Sequence, residues 1–169
     1  MKLAGVMLTF LGCVSAALTW TRSRKARLGA LDRLAQALGR MEAEITAKAV
    51  PLPALITGLA ESADGAAGRF FRALSAALNE LGERPFAALW AETVQSSLPE
   101  LSRSERAAIA ELGNVLGRYP IPRQQEALAC CRAALLHNLE NARGREREDG
   151  RLVWGLALSA GALILIVLI

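Results

Sequence analysis

The sequence predicts an all-α protein, an antiparallel six-helix bundle flanked by N- and C-terminal transmembrane helices. Three observations carry that expectation. Apolar residues make up 53% of the chain but aromatics only 5%, and the apolar mass is mostly Ala and Leu, a mixture that favours helices over strands. Apolar positions recur at three- and four-residue spacing through the middle of the chain, the period of a helix face, and no useful length alternates with the period of two that a half-buried strand needs. Finally, an uncharged apolar run stands at each end, each long enough to span a bilayer.

The C-terminal run, Leu152 to Ile169, contains one polar residue, Ser159. As a helix it is roughly 27 Å long against a hydrocarbon core of ~30 Å. A buried helix of a soluble protein this small would normally keep a polar face, and this run has none. The N-terminal run, Leu3 to Thr21, is also free of charge. Its competing reading is a cleaved signal peptide, favoured by Lys2 and by the small residues at Val14-Ser15-Ala16. Lipoprotein cleavage at Cys13 fits Phe10 and Leu11 poorly. The basic cluster Arg22-Ser23-Arg24-Lys25-Ala26-Arg27 opposes export of the segment downstream. A second basic cluster, Arg143, Arg145, Arg147 and Arg151, precedes the C-terminal run. Between Leu28 and Ala142 the eleven basic and thirteen acidic residues give a net charge of −2. The basic excess of the chain therefore sits in two collars beside the apolar runs, and a nucleic-acid surface in the middle is not expected. Basic flanks face the cytoplasm, so the expected organisation is a transmembrane helix over 1–21, a cytoplasmic helical bundle over 22–151 and a second transmembrane helix over 152–169. Small residues four apart, Gly12 and Ala16 in one run and Ala157 and Gly161 in the other, would let the two spans pack closely.

The middle reads as six helices. Leu28, Leu31, Leu34, Leu38, Met41 and Ile45 form one apolar stripe on a helix of about twenty residues; this is too short a repeat for a coiled coil. Val50-Pro51-Leu52-Pro53 breaks it, because Pro51 disfavours a helical Val50 while Pro53 suits the first turn of the next helix. That second helix spans Ala54 to Ser62, with Leu55, Ile56 and Leu59 inward. Asp64-Gly65 makes a turn. Ala66 to Leu81 is the third helix, with Phe70, Phe71, Leu74, Leu78 and Leu81 inward and Gly82 as its stop. Pro85 starts the fourth, with Phe86, Leu89, Trp90 and Val94 on one side, and Pro99 ends it. Ser102-Arg103-Ser104-Glu105 has the spacing of a capping box and starts the fifth, whose stripe is Ile109, Leu112 and Leu116. After the loop Gly117 to Pro122, the sixth helix spans about Arg123 to Arg143. Leu128, Cys131, Leu135, Leu139 and Ala142 share its inner face and Leu136 widens it; Gly144 loosens the helix before the charged run that leads to the tail.

Catalytic chemistry is not expected. Glu42 and Glu44 are the nearest approach to paired carboxylates, but two residues apart on a helix they point about 200° apart and cannot share one small site. Either one of them organises the bundle or meets a partner, or both belong to a solvated face. His137 has no companion at metal-ligand spacing, Ser102 is accounted for as a cap, and no phosphate-binding GxxxxGK[ST] loop occurs. Cys130 and Cys131, adjacent on a helix, are badly placed to bond each other, and together with Cys13 they read as small apolar packers in a reducing compartment. No metal, cofactor or catalytic residue is expected.

Several elements, in order, resemble the stage III sporulation protein AB family of endospore-forming bacteria. Leu38-Gly39-Arg40-Met41-Glu42-Ala43-Glu44-Ile45 followed by Pro51-Leu52-Pro53 is similar to the family's leucine–glutamate–x–glutamate–isoleucine element and proline-leucine turn. Leu112-Gly113-x-x-Leu116-Gly117 with Gln124-Gln125 is similar to its leucine-glycine and glutamine elements. The anchor with its basic exit and the apolar tail complete a likeness over nearly the full length. The loop Arg118-Tyr119-Pro120-Ile121-Pro122 departs from it, lacking an aspartate usual there. The resemblance implies a cytoplasmic domain similar to the helical domains of the inner-membrane platform protein of type II secretion and type IV pilus systems. It also implies a non-enzymatic role in the channel-like membrane complex between mother cell and forespore, with other membrane subunits, a secretion-type ATPase and the lipid bilayer as partners and no nucleic acid. The location implied is the mother-cell membrane around the forespore. Glu42, Glu44 and Gln125, which lie within these elements, are the expected partner-binding residues. The alternative is an exported or lipid-anchored helical binding protein whose first run has been removed.

Overall fold

The computed structural model describes residues 22–47 and 50–145 in full and, for 2–21, 48 and 146–168, the helical backbone alone. Among the described residues there are six α-helices, one 3-10 turn and no strand: α1 (Lys2–Lys48), α2 (Leu52–Ser62), α3 (Gly65–Ala77), the 3-10 turn (Leu78–Glu80), α4 (Phe86–Ser97), α5 (Arg103–Val115) and α6 (Ile121–Leu168). The expected transmembrane spans, their small-residue pairs and Cys13 lie outside the described side chains. Among the described residues no helix is long and apolar enough to cross a membrane.

The largest departures from the sequence expectation are at the two ends. Both end helices are continuous: α1 extends back through the first basic collar, and α6 continues past Gly144 through the charged run. Arg, Lys, Glu and Ala are good helix formers, and a single interior glycine costs only about 1 kcal/mol, so neither stretch carries a signal strong enough to stop a helix. The intermediate boundaries follow local chemistry. Pro51 caps α2, with Pro53 in its first turn, and the helix begins at Leu52 rather than Ala54. Gly65 (φ +60°) opens α3 and Gly82 (φ +118°) closes the turn after it, both in the left-handed region that glycine enters without a Cβ clash. Ser102 caps α5 with the full reciprocal pattern: its hydroxyl accepts from the Glu105 amide, and the Glu105 carboxylate accepts from the Ser102 amide at 2.8 Å.

The core has two halves. In one, the α1 stripe Leu31, Leu34, Leu38, Met41 and Ile45 is buried against Leu128, Cys131, Leu135 and Leu139 of α6. Each such side chain contributes about 1.5–3 kcal/mol by leaving water. Ala30, Ala35 and Ala37 are buried as well, letting α1 contact α3 beside the stripe. In the other half, Phe70 makes edge-to-face contacts with Phe71 and Trp90 at centroid distances of 4.9 and 5.0 Å, knitting α3 to α4. The Trp90 indole N–H donates to the Ile109 carbonyl at 2.8 Å, tying α4 to α5. A Cβ at Gly113 would stand 2.8 Å from Trp90 Cδ1, so this glycine is the space in α5 that the indole occupies.

Two leucines expected inward are not. Leu81 is 45% exposed and Leu136 38%. Leu81 falls after the 3-10 turn, where the helical period that predicts it has ended; Leu136 adjoins the buried Leu135 but sits past the edge of the face that meets α1. Ala142 is half-buried rather than buried.

Candidate functional site

The α1–α6 seam is the backbone of the molecule, and its polar edge is built from the elements that the sequence motifs single out. Going along α1 toward its C-terminus, Asp32 pairs with Arg143 (3.8 Å), Glu42 with Arg132 (3.6 Å), and Thr46 Oγ1 accepts from Gln125 Nε2 at 2.7 Å. Rising numbers on one helix meet falling numbers on the other, so the two run in opposite directions. The Arg132 side chain crosses α1 over Gly39, where a Cβ would lie 3.2 Å from its Nε. The Leu38-Gly39 pair thus combines a buried anchor with a gap for the arginine that reaches Glu42.

Glu42 and Glu44 are both half-buried and part company as their spacing requires. Glu42 faces α6. Glu44 lines a groove of 400 Å³ between α1 and α2, walled by Arg40, Ala43, Ala47 and Leu55. Gln125 is tied to Thr46 on the seam. The structure therefore brings Glu42 and Gln125 to one edge and sets Glu44 on another. In the loop that departs from the family pattern, Gln124 Nε2 donates to the Tyr119 carbonyl at 2.6 Å and the Arg123 guanidinium lies 4.4 Å from the Tyr119 ring; these contacts fasten the start of α6.

At the pole where residues 22–28 of α1 meet residues 138–145 of α6, one buried charge stands out. Glu105, which the sequence marks only as a cap residue, has a side chain 1% exposed. It accepts from Arg27 Nη2 at 2.6 Å and from Arg27 Nε at 3.2 Å, a two-pronged pair across 78 residues of sequence. Burial pushes the Glu105 carboxyl up, but the Arg27 hydrogen bonds, the Ser102 backbone and side-chain bonds and the Arg27 charge together outweigh it and hold the carboxyl below its ordinary value. The hydrogen bond to Glu105 raises the guanidinium in turn, against the opposing effect of its burial. Arg27, which in the sequence belongs to the basic cluster after the first apolar run, is thus a structural residue that ties α1 to the start of α5. Nothing local in the sequence could have paired it, because its partner is on another helix. Beside it, Arg24, Arg27, Asn138, Asn141 and Arg145 surround a polar cleft of 210 Å³ floored by Leu28 and Ala142.

The opposite pole carries an apolar groove of 630 Å³. Leu52 and Pro53 form one wall, Leu78 and Leu81 a second, Pro85 and Phe86 a third, and Leu116 lies at its side. The exposed Leu81 belongs here: it is a lining residue of the groove rather than a core residue. An apolar concavity at the end of a bundle, reached by three helix termini, is a surface suited to another protein.

Among the described residues no group of His, Cys, Asp and Glu side chains is arranged to hold a metal. His137 is exposed. Cys131 is buried, its thiol pushed up to about 11 by that burial and secondarily by Cys130, which is exposed.

Comparison with known proteins bears on this arrangement directly. The model of the stage III sporulation protein AB family matches residues 2–169. A solved structure described as stage III sporulation protein AB superimposes with a TM-score of 0.64 at 22% identity, covering 73% of this chain and 98% of that one, a likeness of fold. No curated protein sequence matches.

Proposed function

Starting from the chain's membership of the stage III sporulation protein AB family, which makes it a protein of stage III of sporulation, we propose that it is a non-enzymatic, two-span membrane subunit of the channel complex between mother cell and forespore. In this reading residues 1–21 and 152–169 are the spans and 22–151 is a cytoplasmic antiparallel helical bundle, an assembly platform for other membrane subunits and for a secretion-type ATPase. The observation that carries the reading is polarity: the α1–α6 pairing brings both chain ends out at one pole, beside Arg24, Arg27 and Arg145, while the apolar groove opens at the other. Two apolar runs leaving side by side through a basic rim match a hairpin insertion with its loaded side inward. The groove then faces away from the membrane, where a cytoplasmic ATPase would approach.

The test has two parts. Cys130 is exposed, so in a C13S background a membrane-impermeant maleimide should leave it unlabelled in intact sporulating cells and label it after permeabilisation. Labelling in intact cells would instead support the exported alternative. For docking, Leu81→Asp should abolish co-purification with the ATPase while leaving the melting temperature nearly unchanged, because Leu81 is already 45% exposed. Undiminished co-purification would remove the groove from the proposal. Glu42→Ala and Glu44→Ala test the other two edges in the same assay.

A further inference from the structure

We propose that the apolar groove lined by Leu52, Leu78, Leu81 and Leu116 takes an amphipathic helix of the partner protein, with a carboxylate of that helix seated on Arg118, an inference that rests on the docking reading above. The kind of segment follows from the walls. Proteins capture segments of other proteins in a few recurring ways. Adding a strand needs a sheet edge, and among the described residues there is no strand. A polyproline segment needs a row of aromatic rings, and a phosphorylated segment needs a cluster of arginines. Among the described lining residues Phe86 is the one aromatic side chain and Arg118 the one cation. What remains is a helix that sets apolar side chains at i, i+3 and i+4 spacing into an aliphatic trough. The four leucines form that trough, and its 630 Å³ falls within the ~300–1,000 Å³ of pre-formed pockets. Its surface is open to a partner: Leu81 is 45% exposed, and Pro53 and Pro85 are exposed as well.

The charge that the helix must carry follows from what is left without a partner. Arg118 is exposed, and its guanidinium makes no hydrogen bond or ion pair among the described residues. The carboxylates around the groove are engaged or stand outside it. Glu80 and Glu92 pair with Arg84, Glu111 accepts from Asn114, and Glu83 is exposed and outside the lining. The starts of α2 and α4 lie at the groove behind Pro51 and Pro85, with neither a side-chain cap nor an acidic residue in the first turn. The partial positive charge of those helix ends has the same sign as Arg118. An apolar trough with one unpaired guanidinium at its edge is complementary to an apolar helix face with one acid at its border, because arginine takes a carboxylate through paired N–H donors.

Full-length protein in a neutral detergent is titrated against the purified ATPase, and the affinity is read by biolayer interferometry at about 50 and about 300 mM salt. R118Q should weaken binding roughly three- to tenfold, and R118E more. R118K, which keeps the charge but not the planar fork, should lie between the parent and R118Q. E83Q, outside the lining, should change the affinity less than about twofold. Binding by the parent should fall more steeply with salt than binding by R118Q. The Arg118 variants should melt with the parent, because the side chain is exposed. If L81D abolishes binding while R118E leaves it unchanged or tighter, the acidic helix is overturned and the groove stands. Undiminished binding in both overturns the docking reading itself. Equal losses in R118Q and E83Q overturn the seat at Arg118. Leu81→p-benzoylphenylalanine then identifies the segment: irradiation should join it to an ATPase helix with apolar residues at i and i+3 or i+4 and an Asp or Glu within one turn of them. A cross-link to a strand, a loop or a helix without that acid overturns the proposal.

Discussion

Replacing Arg27 with Gln tests the buried charge that closes the pole. The substitution keeps a polar side chain but a shorter, uncharged one, and strands the Glu105 carboxylate, 1% exposed, with only the Ser102 bonds. A fully buried pair broken from one side costs about 3–5 kcal/mol. Arg27 is 40% exposed, so part of the pair already faces solvent, and a loss of about 2–3 kcal/mol is expected here. For a domain of this size that corresponds to roughly 6–15 °C in melting temperature. The measurement is thermal unfolding of the full-length protein in mild neutral detergent, followed by near-UV ellipticity, to which the buried Trp90 contributes. The pH dependence adds a second, independent reading. In the native protein the Glu105 carboxyl lies below its ordinary value of 4.5. Its contribution is therefore present above that value and is lost as pH falls through the lower folded value, because the unfolded chain then binds the proton more readily. Without Arg27, burial is opposed only by Ser102, and this acid-side loss should shrink. The double variant R27Q/E105Q should be less destabilised than the sum of the two single variants. A melting temperature for R27Q within about 2 °C of the parent, with an unchanged acid limb, would show that the pair does not hold the pole together.

Other outcomes rest on the packing. Gly113→Ala places a methyl against Trp90 at under 3 Å and should cost about 1–3 kcal/mol, whereas Gly58→Ala, with open space at its Cβ, should stabilise α2 by about 0.5–1 kcal/mol; chemical denaturation of both variants gives the comparison. Leu38→Asp puts an unpaired charge at a position 1% exposed and should cost about 3 kcal/mol or more, and an unchanged helical melt would refute the stripe. Maleimide at pH 8 should modify Cys130 rapidly and leave Cys131 intact, since burial and a thiol pushed up to about 11 both protect it; peptide mapping after the reaction distinguishes them.

Helices and their inner faces are readable because each is amphipathic on its own: the α1 stripe, the aromatic pair Phe70-Phe71 and the Ser102–Glu105 cap all arise from local spacing. Edges are where local inference fails. Leu136 extends a stripe that its neighbour helix is too narrow to cover, and Leu81 fits a helical period that stops at Ala77. Gly144 and the collar resemble interruptions, but each lies among strong helix formers. The pairing of Arg27 with Glu105 and of Gln125 with Thr46 depends on which helices become neighbours, which no local pattern encodes. The Leu-Gly elements are visible as motifs but acquire a physical meaning only beside Arg132 and Trp90.

The α1–α6 seam also dictates an order of assembly. Its halves lie about 80 or more residues apart in sequence, with Thr46 waiting for Gln125 across 79 residues and Asp32 for Arg143, so the molecule works like a clasp whose second jaw is made well after the first. Helices α2 to α5 can settle on one another early, through short connections. The leucine row of α1 must meanwhile remain uncovered until α6 leaves the ribosome, and a nascent chain interrupted before that moment would expose its stickiest surface to the cell.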